Sequence, residues 1–368
     1  MQSAFSNALS GAVANHIRLW PTRQETLCLL VLAMVRHGTI CLWRLAAHVT
    51  TQARTDSVRR RFYRFFQFVR LDAETAARLV VALLGLSGKP WVLAIDRTNW
   101  ELGKTAINIL MVSVEWRGIA IPLIFTLLPK AGNSSTGERI DLLDRLKAVF
   151  PGMKIAQLTG DREFIGAAWM SFLAHENIPF TLRLRENQYV SRQGYATWTL
   201  ARHAQGLKRG SKRRLPGFWR LGGSDLKVRI VMMRLKTGEL LALATRGRPD
   251  RALARYRQRW TIETLFGNLK TRGFDLEATH ITDPNKLETL LVLMAVATTL
   301  VAKTGASAER ARPIPVKKHG RRAVSLFALG LATLRKIFSR KFSEQIIVFL
   351  HALISENIPP KPLITLGF

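Results

Sequence analysis

Thiols and negative charge are both scarce in this chain of 368 residues. Cys28 and Cys41 are its only cysteines, which excludes a disulfide framework and a thiolate zinc site and suits a reducing compartment. Asp and Glu total 25 against 56 Lys and Arg, a formal net charge of +31. That excess is more than solubility requires and suits a polyanionic partner, of which nucleic acid is the natural candidate. The longest apolar runs, Leu27 to Val35 and Leu290 to Ala302, read as too short to span a bilayer, and the N-terminus shows no charged-then-apolar leader. No long stretch sets Lys and Arg opposite a Trp and Leu face. The expectation is a cytoplasmic, nucleoid-associated protein with no membrane partner. No GxxxxGK loop is present, so no nucleotide cofactor is expected.

What is present is enough apolar material for a large core: 48% of residues are hydrophobic and 22% charged, which describes a folded enzyme better than a basic tail. Residues 1–88 read as a helical N-terminal DNA-binding domain, with apolar residues at helical spacing from about 23 to 86. Its most basic stretch carries Arg59, Arg60, Arg61 and Arg64 among Phe62, Tyr63, Phe65 and Phe66, a helix with an aromatic side and a cationic side. The three consecutive arginines are the candidate DNA contacts there.

Residues 89–302 change texture. Short apolar runs at Val92 to Ile95, Asn108 to Trp116 and Ile119 to Leu128 read as strands, with Arg117-Gly118 as a turn. A helix is expected over Glu138 to Val149, a strand at Lys154 to Leu158, a helix at Phe164 to His175 and a strand at Phe180 to Leu184. Three strands followed by alternating helix and strand match an α/β fold, a ribonuclease-H-like mixed-sheet catalytic core. Residues from about 186 to 246 read as an inserted β subdomain with a basic loop at Lys208 to Arg214. Helices return from Pro249 to about Thr271 and from Lys286 to Val301. Residues 303–368 read as a basic linker to Arg322 and a small helical C-terminal region, Ala323 to Phe338 and Ser343 to Ile354. The core is thus flanked by helical N- and C-terminal regions.

The chemistry resides in three acidic side chains. Asp96 follows the run Val92-Leu93-Ala94-Ile95, and Asp161 follows Ile155 to Gly160, which places both at strand ends, where a carboxylate is also a common turn or cap former. Glu263 lies on a helix where Tyr256, Arg259 and Lys270 fall within about 40° of it at helical pitch, one narrow polar face. A solvated salt-bridge stripe has the same pattern, Arg259 and Glu263 being an i,i+4 pair. Glu163, Asp141, Asp144, Glu277 and His280 are weaker candidates and read first as caps, surface charges or core partners. Trp198 and Trp219 read as packing residues before base-stacking ones.

The spacing Tyr256, Arg259, Glu263, Lys270 resembles the YREK signature of the insertion-sequence-four family of DDE transposases. Leu93 to Trp100 and Thr159 to Phe164 are similar to that family's two aspartate motifs, and Gly273 to His280 to the segment after its glutamate. The resemblance covers roughly residues 90 to 302. It implies a DNA transposase, with Asp96, Asp161 and Glu263 as the catalytic triad holding two Mg²⁺ (or Mn²⁺) ions. It also implies DNA contacts from Tyr256, Arg259 and Lys270. The implied partners are double-stranded DNA, as terminal inverted repeats and target, and a second copy of the chain in a DNA-bound homodimer. A ribonuclease-H-like nuclease such as a junction resolvase shares the triad without joining strands, and a catalytically decayed DNA-binding protein shares the charge; both stay open on sequence alone.

Overall fold

The computed structural model describes residues 9–11, 13–49, 53–102, 105–222, 224–318, 320–339 and 352–354. Four N-terminal helices, α1 (Pro21–His37), α2 (Leu42–His48), α3 (Thr55–Phe68) and α4 (Ala73–Leu84), precede a hairpin array of β1 (Pro90–Leu102), β2 (Thr105–Trp116) and β3 (Ile119–Leu127). Then come α5 (Thr136–Val149), β4 (Lys154–Gly160), α6 (Ala167–His175) and β5 (Phe180–Leu184). β1 pairs antiparallel with β2, and β2 with β3, whereas β1–β4 and β4–β5 are parallel. The resulting order β3-β2-β1-β4-β5 is the ribonuclease-H-like mixed sheet, with β1 and β4 as neighbours in its interior. Seven successive residues of β3 are buried, as expected where helices cover both faces. The β2–β3 connection is the two-residue turn Arg117-Gly118, both at positive φ (53° and 85°), the type I′ geometry that matches the twist of its strands.

Strand pairing extends the sheet beyond the expected elements. β1 does not stop at Ile95 but continues through Asp96 to Leu102, because β2 pairs with it from Leu93 to Leu102, Asp96 opposite Met111 and Asn99 opposite Asn108. Cross-strand pairing overrides the polar run that looked like a strand end. The inserted β segment expected from about 186 to 246 is present and is continuous with the core sheet. Its strands are β6 (Tyr189–Arg192), β7 (Tyr195–Thr199), β8 (Lys212–Arg214), β9 (Trp219–Leu221), β10 (Lys227–Arg234) and β11 (Leu240–Thr245), with the short helix α7 (Leu200–His203) among them. β11 pairs with β5, so the insertion prolongs the core sheet. α6 starts at Ala167, after a turn that the sequence reading had assigned to the helix.

The expected helix from Pro249 to Thr271 is two helices, α8 (Ala252–Gln258) and α9 (Trp260–Leu269), meeting at Arg259. Arg259 N–H bonds to the Tyr256 carbonyl and Ile262 N–H to the Arg259 carbonyl, i→i+3 bonds that tighten the joint. α10 (Pro284–Ala311) runs ten residues past Val301, so the basic linker expected from residue 303 begins only after Ala311. This helix is long and apolar enough to cross a bilayer, contrary to the reading of Leu290 to Ala302, but its apolar window is wholly buried inside the protein. It is the core helix against which α1, α4, β3 and α11 (Leu326–Ser339) pack. Gly305 and Gly330 mark its crossing with α11: a Cβ on either would collide with a carbonyl of the other helix, that of Leu326 or of Val301. Apolar residues of the N-terminal helices, the core sheet and α11 form one continuous buried cluster. Of the expected helix Ser343 to Ile354, only residues 352–354 are among those described.

Candidate active site

Asp96 lies mid-strand on β1, with 14% of its side chain exposed. Its Oδ1 accepts a bond from the Arg97 amide at 2.8 Å, and its Oδ2 faces Arg259 Nη1 at 3.3 Å. Asp161 follows β4 directly. The last β1–β4 partners are Ala94 and Thr159, so each aspartate stands two residues beyond the end of the ladder, Asp96 still within β1 and Asp161 just past β4. Asp161 Oδ1 accepts from the Glu163 amide at 2.7 Å and its carbonyl from the Phe164 amide at 3.1 Å. It is therefore the turn former that its position suggested, with its second oxygen left over. Glu263, in the first turn of α9, receives Arg259 Nη2 at 2.5 Å and is 45% exposed.

Arg259 is the centre of this arrangement. Its guanidinium, 7% exposed, joins Asp96 on the sheet to Glu263 on the helix. Burial pushes the Asp96 carboxyl up to about 7; the negative charges of Asp161 and Glu263 push the same way, while the Arg97 amide and Arg259 oppose. Asp96 thus feels the charge of both other acids. Tyr256, on α8, is buried against β10 and β11, its phenol held above the usual range by that burial. The Arg259 guanidinium stands 5.4 Å from its ring centroid. Among the described residues, Tyr256 Oη and Arg259 Nε find no hydrogen-bond acceptor in good geometry. Two buried donors without acceptors beside a cluster of carboxylates suit an oxygen-rich ligand such as a phosphodiester.

The sequence reading placed four residues on one helical face; the structure brings three together. Lys270 is the non-helical residue after α9. Its Nζ bonds to the Asn99 carbonyl at 3.0 Å, pairs with Glu277 at 3.1 Å and stands 5.3 Å from the Trp100 ring. It thus flanks the far end of β1 rather than Glu263. Of the N-terminal arginines, Arg59 pairs with Asp56 and lies over Trp43, and Arg61 pairs with Glu25 and Thr26. Arg60 is exposed; with Arg23 and Arg64 it lines a cleft between α1 and α3. Trp219 is buried, as expected, and Trp198 is partly exposed under Arg202.

Glu163 is one of the weaker candidates in the sequence, but its partner Arg97 is not among them. Arg97 Nε reaches both carboxylate oxygens of Glu163 at 3.2 Å, and its Nη atoms reach Asn108 at 3.1 Å and Asn133 at 3.2 Å. Glu163 Oε1 also accepts from the amide and hydroxyl of Ser134, each at 3.0 Å. The only signal in the sequence was adjacency: Arg97 follows one aspartate, and Glu163 lies two residues after the other.

The donor set fits a divalent cation in its chemistry: hard carboxylate oxygens from two strands and a helix, repelling one another and awaiting positive charge. In the arrangement seen here Arg259 supplies that charge. Among the described residues no three Asp, Glu, His or Cys side chains stand close enough together to hold an ion. The expected convergence of Asp96, Asp161 and Glu263 around shared ions is therefore not met in this arrangement, in which Arg259 stands between Asp96 and Glu263.

A ribonuclease-H-like sheet with acidic residues at the exit of its two central strands and a third on a following helix defines a class, the nucleic-acid phosphoryl-transfer enzymes. Within it, residues 87–300 match the family model for the transposase DDE domain. The match covers more than half of the chain, and the protein belongs to that family. It is a phosphoryl-transfer enzyme of DNA transposition; the family acts on DNA and generally uses divalent metal ions. No curated protein gives a significant match to the sequence.

Proposed function

We propose that the chain is a cut-and-paste transposase of the insertion-sequence-four type, with Asp96, Asp161 and Glu263 as its catalytic carboxylates and Tyr256, Arg259 and Lys270 completing its YREK set. The observation that carries this reading is the buried Arg259 guanidinium joining Asp96 to Glu263, remote in sequence, with Asp161 at the end of the strand beside Asp96. Held by those carboxylates, two Mg²⁺ (or Mn²⁺) ions would supply Lewis acidity for in-line attack of water, and then of a DNA 3′-hydroxyl, on a phosphodiester. The chain's own residues do the rest. Asp96 and Asp161 offer one free or exchangeable oxygen each from rigid backbone. Arg259 leaves Asp96 and Glu263 for a phosphate oxygen, to which Nε and the Tyr256 hydroxyl also donate. Lys270, on the rim near Asn99 and Trp100, positions the strand to one side.

In this reading two copies act on paired terminal inverted repeats, the freed 3′-hydroxyl closes a hairpin on the opposite strand, and after opening it joins target DNA. The setting is the cytoplasm, at the nucleoid. The test is nicking and joining of a fragment carrying the element's terminal repeats, with and without Mg²⁺. Asp96→Asn, Asp161→Asn and Glu263→Gln each lose cleavage by at least about 10³-fold while still binding DNA. Full activity in any one removes that residue from the site, and cleavage without strand-transfer products favours a nuclease.

A further inference from the structure

Hydrogen bonding between β1 and β4 ends at Ala94 and Thr159, just short of the aspartates. Beyond that point, among the described residues, the strand that β1 pairs with is β2, while the chain after β4 turns away through residues 162–166. No main-chain ladder therefore fixes the separation of Asp96 from Asp161. The link between the two strands resumes in side chains immediately past them. Arg97 and Glu163 form an ion pair, 14% and 13% exposed, that bridges the splayed ends.

The pair is held from every side. Arg97 is tethered to Asn108 on β2 and Asn133 on the loop before α5. Asn108 is fixed in turn by the carbonyls of Lys130 and Gly132. Glu163 is fixed by Ser134, whose hydroxyl accepts from the buried Arg139 at 2.9 Å. Arg139 also lies 5.0 Å from the Phe164 ring centroid, and Phe164 sits so tightly on Gly160 that a Cβ there would come within 2.9 Å of it. A buried ion pair alone adds little to stability once desolvation is counted, but it specifies geometry when its remaining bonds are satisfied.

We propose that Arg97 and Glu163 are positioning residues: their ion pair sets the spacing of the Asp96 and Asp161 carboxylates for a shared divalent cation. This rests on the triad assignment above. Neither residue touches substrate; each acts through its aspartate neighbour, as outer partners of ligands do elsewhere.

The test titrates MnCl₂ into the DNA-free protein by calorimetry. Arg97→Lys keeps the charge but not the fork, and Glu163→Gln keeps the shape but not the charge. Each lowers Mn²⁺ affinity by about tenfold or more and lowers kcat for nicking with KM for DNA unchanged. Asn133→Ala trims one exposed hydrogen bond from Arg97 without threatening the fold and gives a loss of roughly threefold. Wild-type affinity in all three folded variants overturns the proposal while leaving the triad intact, as does a loss of activity that tracks melting temperature alone. Absence of Mn²⁺ binding by the unaltered protein, or unchanged binding by Asp161→Asn, overturns the triad assignment itself and this inference with it.

Discussion

The two sides of the site are built differently. On the sheet side, Asp96 sits on β1 and Asp161 just past the end of β4, each with one oxygen fixed by a main-chain amide. On the helical side, Glu263 is half-exposed and held by Arg259, and Arg259 itself stands at the joint between two short helices. The sheet side is preorganised, and preorganisation is what placing catalytic oxygens requires. The helix side is held by an ion pair that a competing cation or phosphate can exchange, so assembly of the full site falls to it.

That contrast makes Arg259→Gln the most informative break. Without the guanidinium, nicking falls by about 10²-fold, the size of losing one charged donor to the reacting phosphate. At the same time the freed carboxylates of the DNA-free protein bind Mn²⁺ severalfold more tightly, a gain of roughly 1 kcal/mol. Weaker metal binding, measured by calorimetry, means that Arg259 is scaffold for the helix side rather than its internal counter-ion.

Asp96 sharpens the sheet side through pH. Its folded carboxyl titrates near 7, above the usual carboxylate value of 3.8. Between those limits the folded chain holds a proton that the unfolded chain releases, so this group's contribution to stability falls as pH rises from about 4 to about 7. Asp96→Asn removes the penalty. In metal-free buffer the variant matches the parent protein near pH 4 and exceeds it by roughly 2 kcal/mol at about pH 8. Denaturant titrations at the two pH values check this, and an equal difference at both contradicts it.

How far the sequence revealed all this depended on which interactions decided each element. Ladder-forming apolar runs such as Ile119 to Leu127 and Phe180 to Leu184 carry their own period, and those strands were legible. The polar continuation of β1 was not, because only its partner β2 keeps Asp96 to Leu102 extended. Helical spacing put Tyr256, Arg259 and Glu263 together correctly. It misplaced Lys270, since the helix ends one residue earlier and Glu277 draws the amine toward β1. The Arg97–Glu163 brace joins residues 66 apart in sequence, a pairing that no local pattern announces.

The smallest expected effect concerns the N-terminal helices, where the same contrast of occupied and free cations recurs. Arg59 and Arg61 already have acidic partners, whereas Arg60 and Arg64 face the cleft without one among the described residues. Arg60→Ala and Arg64→Ala each reduce the salt dependence of DNA binding by about one phosphate contact and weaken it severalfold. Arg59→Ala and Arg61→Ala change it less. The reverse order, read from binding at several salt concentrations, would place DNA elsewhere.

The most direct test of the central claim is the anomalous scattering of Mn²⁺ in crystals of the protein with a DNA end. The account predicts manganese bound by oxygens of Asp96, Asp161 and Glu263, with the Arg259 guanidinium moved from the acids to a phosphate. Manganese bound elsewhere, or Arg259 still joining Asp96 to Glu263 with the metal in place, would contradict it.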